Sequence, residues 1–357
     1  MALVNGQKFE FDVQSDVYNV RSMALHFIVR NSSADTAQLL CPLQLVIDKI
    51  KLLGNGQKEC QIIHGHELFL NDATFKTTSQ IKNEKLATNL TEALVAGVSI
   101  PAGSTQEYFL ALPDILPKDG NVDGVSLFNI NRLKLQVEFR GKDAIQIDSS
   151  AGDKLPLLLE GLYLILDTTH YTRQETSALN MIYKDGISYK YLYYNRQSFD
   201  MNLDPSKPYS FKLNNIQGLS PFMWITLHRQ GFGGQDLYNP PTIIAWIDTI
   251  TWKTDNGISQ TNSVNYKGDY LKFTQQSQKL DNTFGFDCRN SYFISFGPNP
   301  VMTYLEGIHG GYDFISDTIF EITTKSSLIA GPYTVRFIVP TYALLHITPS
   351  GMITNEV

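Results

Sequence analysis

The stretch "LVIDKIKLLGNGQ" (residues 45–57) returns 200 residues further on as "AWIDTITWKTDNG" (residues 245–257). Ile47, Asp48 and Ile50 become Ile247, Asp248 and Ile250, and each copy then reaches an Asn-Gly pair. Alternating apolar and polar residues running into Asn-Gly are the pattern of a half-buried strand entering a tight turn. The same strand and turn at a constant offset predict two copies of one domain.

Neighbouring segments repeat in the same order. "LHFIVRN" (residues 25–31) matches "ITLHRQ" (residues 225–230) when Arg30 is set against Arg229, a shift of 199. Beyond the turn, Gly65 and Leu68 of "IIHGHELFL" align with Gly268 and Leu271 of "NYKGDYLKF", and "YFLALP" (residues 108–113) resembles "YFISFG" (residues 292–297). In the first copy Leu86, Leu90 and Leu94, between Asn83 and Gly97, predict an inserted helix over 83–97. "RLKLQVEFR" (residues 132–140) has the period of a half-buried strand. Its expected counterpart is "YTVRFIVPTYALLHI" (residues 333–347), which makes "EGIHGGYDF" and "TIFEITTK" insertions of the second copy. Between the copies, "LLLEGLYLILDTT" (residues 157–169) reads as a closing strand and residues 170–186 as a short connecting helix. The expected division is an N-terminal arm over 1–16, a first domain over 17–190 and a second over 191–357.

A chain of 357 residues accommodates two domains of about 150 residues each. The composition, 43% hydrophobic and 18% charged with 18 Tyr and 20 Phe, suits packed sheets. Short strands separated by Gly, Pro and Asn turns, without alternating strand and helix units, predict an all-β chain of antiparallel sandwiches. A net charge of −6, with Lys and Arg scattered, disfavours nucleic acid as a direct partner. The N-terminus lacks the pattern of a secretory leader, and the longest apolar run, residues 155–166, is broken by Glu160 and Gly161 and too short to span a bilayer. Cys41, Cys60 and Cys288 have no metal-type spacing and read as reduced structural thiols, with a Cys41–Cys60 disulfide as the alternative.

Candidate chemistry is sparse. "DGNVDG" (residues 119–124) opens like a calcium loop, but Ile130 stands where a closing Glu belongs, so a polar turn is expected. His64 and His66, two apart, lack a third metal ligand and read as a solvent-facing turn. "GFGG" (residues 231–234) lacks the residues of a phosphate loop. Asp48 and Asp248 have the residue type of a glycosidase pair, but their equivalent positions predict one structural job done twice. Asn31 and Asn89 begin glycosylation sequons by pattern alone. No catalytic, cofactor-binding or metal-binding residue is assigned, and no enzymatic activity is expected.

The features above, with "IPAGSTQEYFLALP" (residues 100–113) and "YFISFGPNP" (residues 292–300), resemble the double jelly-roll major capsid proteins of tailless icosahedral viruses and phages with an internal membrane. The resemblance covers most of residues 17–349. It implies two tandem eight-stranded antiparallel jelly rolls, three chains forming a pseudo-hexagonal trimer, and assembly with neighbouring capsomers and with minor and vertex proteins into a virion shell. Synthesis in the host cytoplasm, outward decoration by residues 299–314 and an inward-facing arm near a membrane follow from it. The rival reading is a carbohydrate-binding or carbohydrate-active protein on two β-sandwiches, with Trp224, Trp246 or Trp252 as exposed stacking platforms. The even spacing of Trp246 and Trp252 along a strand, where the first copy has Val46 and Leu52, favours buried packing instead.

Overall fold

The computed structural model describes residues 6–13, 18–39, 43–55, 58–75, 98–112, 115, 125–126, 133–140, 147–149, 158–230, 245–254, 262–269, 271, 291–296, 311–314, 318–350 and 353–356. The chain divides into two compact units. The first comprises Met1–Leu70, Lys82–Tyr193 and Tyr342–Val357, and the second Asn71–Ile81 and Tyr194–Thr341. The first unit holds β1 (Gln7–Val13), β2 (Tyr18–Arg30), β3 (Ala37–Leu39), β4 (Ile47–Gly54), β5 (Lys58–His64), β6 (Val98–Ile100), β7 (Thr105–Ala111), β8 (Val125–Ser126), β9 (Leu133–Phe139), β10 (Ile147–Ser149) and β11 (Leu158–His170). β12 (Ile187–Leu203) leads into the second unit, with β13 (Pro208–Leu213), β14 (Gly218–Ser220), β15 (Phe222–Arg229), β16 (Ile247–Thr254), β17 (Asn262–Lys267), β18 (Ser291–Ser295), β19 (Tyr312–Phe314) and β20 (Thr318–Thr324). β21 (Gly331–Ile347) begins in the second unit and ends in the first, followed by β22 (Ile353–Glu356). Two α-helices complete the described residues, α1 (Gly65–Phe75) and α2 (Arg173–Ile182).

Both units repeat one sheet plan. The first has β1-β9-β4-β5 and β11-β2-β7, and the second has β13-β20-β16-β17 and β21-β15-β18. Smaller ladders, β10-β3-β6 and β14-β19, flank them, while β8 pairs with β2 and β22 with β21. The alternation expected of β9 is observed: Leu133, Leu135, Val137 and Phe139 are buried and the residues between them half-buried. Phe27 of β2 meets Phe139 of β9 edge-on at 6.4 Å, tying one sheet of the first unit to the other. In the second unit Phe211, Ile250, Trp252 and Phe320 from one sheet share a continuous core with Ile225, Tyr292, Ile294 and Phe337 from the other. Each unit is thus a two-layer antiparallel sandwich closed over an apolar interior.

The duplicated stretch is the hinge of this plan. In both copies the ladder slips by one residue at the aspartate, between Ile47 and Lys49 against β9 and between Ile247 and Thr249 against β20. The same bond closes each slip: Arg140 N donates to Val46 O at 3.0 Å, and Lys325 N to Trp246 O at 2.8 Å. The aligned glycines then take the same place. A Cβ on Gly65 would lie 2.2 Å from Ile47 O, and one on Gly268 would lie 1.9 Å from Ile247 O. Only glycine permits that approach, which turns the strand into a helix: α1 starts at Gly65, and Gly268 and Asp269 are likewise helical. Leu68 and Leu271 are buried behind them.

Several expectations are corrected by the ladders. Sheet order makes β20, "TIFEITT", the counterpart of β9, and the closing strand β11 the counterpart of β21; residues 318–325 are therefore core and no insertion. The shift of 199 between β2 and β15 is also wrong. His26 lies opposite Phe109 as Trp224 lies opposite Phe293, which fixes the shift at 198 and sets Phe27 against Ile225. A one-residue slip exchanges the two faces of a strand, and both Phe27 and Ile225 point inward. Residues 7–13 of the expected arm form β1, paired along its length with β9 as β13 pairs with β20. Phe9, Phe11 and Val13 alternate with Lys8, Glu10 and Asp12, enough for an edge strand whose outer face is charged. The "HGHEL" turn is the start of α1, where Glu67 Oε2 accepts His64 N at 2.8 Å. The C-terminal residues 342–357 count with the first unit. The helix expected over 83–97 lies outside the described residues.

Replacement of Gly65 or Gly268 by Ala is expected to cost about 2 to 3 kcal/mol, because backbone rather than a yielding side chain blocks the added methyl. Urea unfolding of each variant measures the loss.

Candidate assembly surfaces

The candidate chemical residues are placed as framework. Asp48 sits at the first register slip with Arg140 Nη2 at 3.8 Å and Lys49 Nζ at 3.9 Å, and Asp248 at the second with Lys267 Nζ at 3.5 Å. Each belongs to its own unit and is neutralised there, so the two aspartates do the same structural job twice. His66 and Glu67 are buried in the first turn of α1, contrary to the solvent-facing turn expected, and the His66 ring stacks on Phe69 at 6.4 Å. Among the described residues no group of three or more His, Cys, Asp or Glu is arranged to hold a metal ion. Nor is any described helix long and apolar enough to cross a membrane.

The sequon at Asn31 is committed elsewhere. Its Nδ2 donates to Asp35 O at 2.7 Å and Ile100 O at 2.9 Å and lies 3.3 Å from Pro101 O, so the nitrogen a glycan would use is buried and engaged. The three tryptophans are interior: Trp224 is 0%, Trp246 1% and Trp252 4% exposed. The packing reading of Trp246 and Trp252 therefore stands, and none of the three offers a sugar platform. The calcium-like loop 119–124, the glycine-rich 231–234, Asn89, Cys41 and Cys288 lie outside the described residues. Of residues 299–314 only 311–314 are described, and there Tyr312 and Phe314 are buried in β19.

What the fold leaves outside is apolar surface. α2 is held by a capping box: Thr172 Oγ1 accepts Glu175 N at 3.3 Å, and Glu175 Oε2 accepts Thr172 N at 2.7 Å. Those bonds keep the Glu175 carboxyl below the usual carboxylate range. The connecting helix read from residues 170–186 is present, yet none of its residues is buried, and Met181 and Ile182 are strongly exposed. On β11 the inward Leu162, Leu164 and Leu166 are half-buried, while Tyr163 and Ile165 point outward and are exposed. Large apolar side chains displayed on adjacent outward positions mark surfaces that other molecules cover.

No known protein family matches the sequence, and no curated protein matches it. Solved structures do. VP54 of PBCV-1 is 14% identical, with 99% of this chain and 94% of that chain covered at a TM-score of 0.70. The Faustovirus major capsid protein is 8% identical over 96% of this chain and 88% of that chain at 0.68. The mavirus major capsid protein is 10% identical over 100% and 88% at 0.56. Likeness at such low identity is likeness of fold, and the fold is the double jelly roll that the resemblance implies.

Cys60 is buried, with its thiol facing Lys58 O at 3.7 Å, and burial pushes its pKa up to about 11 from 9.0. The folded state thus holds the thiol proton more tightly than the unfolded state, so stability is full below pH 9 and falls as pH rises towards about 11. Unfolding at pH 8 and pH 11 is expected to differ by about 2 kcal/mol more in the native chain than in Cys60→Ala. Alkylation at pH 8 should label Cys60 only in denaturant, as read by peptide mass.

Proposed function

We propose that this chain is the major capsid protein of an icosahedral virus and works by assembly rather than catalysis. The observation that carries the reading is the whole-chain likeness to major capsid proteins, which spans both jelly rolls in order. Three copies bring six similar sandwiches together as a nearly hexagonal tile, and tiles of that outline cover a flat facet with one repeated contact. Duplication within the chain is then a geometric device, giving a closed three-chain ring the outline of six subunits. The placement of Asp48 and Asp248 at register slips and the burial of all three tryptophans fit a chain whose polar and aromatic residues serve the framework. Its partners are copies of itself, neighbouring capsomers, and minor and vertex proteins over an internal membrane, and its place is the virion.

Light scattering after size-exclusion chromatography tests this at neutral pH without ligand. A three-chain species, or larger particles built from it, is expected from the 40.2 kDa chain. A monomer that persists at every concentration overturns the proposal.

A further inference from the structure

One sheet edge that is covered in the second unit is bare in the first. Tyr163 of β11 lies opposite His26 as Ile338 of β21 lies opposite Trp224, so the two strands hold the same place in their sheets. β21 is paired on both sides, by β15 and by β12, in the order β12-β21-β15-β18. The corresponding sheet of the first unit ends at β11, and among the described residues no strand pairs with its outer edge.

β12 shows what a covering strand supplies. Thr334 Oγ1 donates to Asp200 Oδ1 at 2.5 Å and Arg336 Nε to Ser198 Oγ at 3.1 Å, which sets residues 194–203 antiparallel to β21. In alternation with those polar residues, Phe199 and Met201 pack against the core and Leu203 belongs to it. The Phe199 ring meets Phe337 edge-on at 5.8 Å. Phe337 and Val339 are completely buried, as is the outward Ile338. On β11 the counterparts of Phe337 and Val339 are Leu162 and Leu164, opposite Phe27 and Leu25, and both are only half-buried. Outward Tyr163 is exposed where Ile338 is covered. The interior of the first unit is therefore open along β11, where a strand closes that of the second.

The bare edge has the chemistry of a strand acceptor. The ladder of β11 with β2 is irregular between Leu159 and Gly161 and between Asp167 and Thr168, and regular from one break to the other. Residues 161–166 within that run carry no charge. Edges that must stay free are blunted by charges, prolines or bulges, whereas a regular apolar run is a template for an added strand. Glu160, held by Arg30 Nη1 at 3.1 Å, and the exposed Asp167 bound the run with negative charge.

We propose that residues 161–166 receive an extended segment of a different protein, laid antiparallel on β11. Two large apolar side chains two residues apart face Leu162 and Leu164, as Phe199 and Met201 do in the second unit, and the residues at its ends are basic or uncharged. The slot takes one strand, because β12 is itself the last of its sheet. Every described strand of this chain is already bonded within a sheet, so a second copy brings a whole sheet, while a partner with an unpaired segment brings a strand alone. The inference goes beyond the capsid reading and does not depend on it.

The probe is a synthetic peptide of residues 194–203, YNRQSFDMNL, which is the chain's own covering strand. The same peptide with Phe199→Asp and Met201→Asp is the control. Hydrogen exchange of the native chain, read by peptide mass, is followed alone and with each peptide. Amides of residues 161–166 that point away from β2 are expected to exchange fast in the chain alone at low and high concentration. Saturating probe should slow them about tenfold or more, and the control should not. No slowing, or slowing confined to other strands, overturns the proposal. Amides already slow at every concentration overturn it by showing that the chain covers its own edge, and amides that slow only as concentration rises assign the slot to a second copy. The mass measured by light scattering tests the capsid reading separately, so the failure of one is told from the failure of the other.

Discussion

A glycine set against an isoleucine carbonyl, at 2.2 Å for its missing Cβ in one unit and 1.9 Å in the other, is the constraint from which both jelly rolls grow. At that approach the chain leaves its strand and turns into a helix instead of extending the sheet. The aspartate slip lies beside it, since Ile47 and Ile247, the residues before each slip, are the ones whose carbonyls face the glycines. Each contact is local to one unit, yet it sets where the chain goes next. From Gly65 it leads through α1 to the Trp224 cluster, which has one of the most densely aromatic surroundings in the second unit.

Burial on both faces distinguishes the second unit from the first. β15 is buried from Phe222 to His228, inward residues in the core and outward ones under Thr74, Phe75 and Tyr194. β2 has the same place in the first sheet plan and buries only its inward residues from Leu25 to Val29, leaving Ala24, His26 and Ile28 half-buried. Two copies of one architecture thus differ in what covers them.

The repeat was legible wherever a turn or close approach demanded a particular residue. Asn-Gly, Gly65 with Gly268, and the Tyr-Phe pairs at 108 and 292 keep their chemistry because the backbone there admits few substitutes. Strands without such a marker share only apolar content, which does not tell one from another. Apolar content points from β9 to β21, although β20 pairs as β9 does, and the shared arginine points from Arg30 to Arg229 across a one-residue slip. β1 is not legible in the sequence, because an edge strand needs only one apolar face and three inward residues do not stand out from an arm.

By itself the sequence determined that the chain is β-rich, twice built on one strand plan and without a recognisable catalytic constellation, since periodicity, turn chemistry and composition act through neighbouring residues. Only the tertiary structure decided that the tryptophans are interior, that Asn31 spends its amide on backbone carbonyls, and that Tyr163 stands exposed while Ile338 is covered. Those facts depend on what lies across a ladder or over a sheet. Outward positions of β11 and β21 have the same local period, and the approach of residues distant in sequence determines which of them meets water.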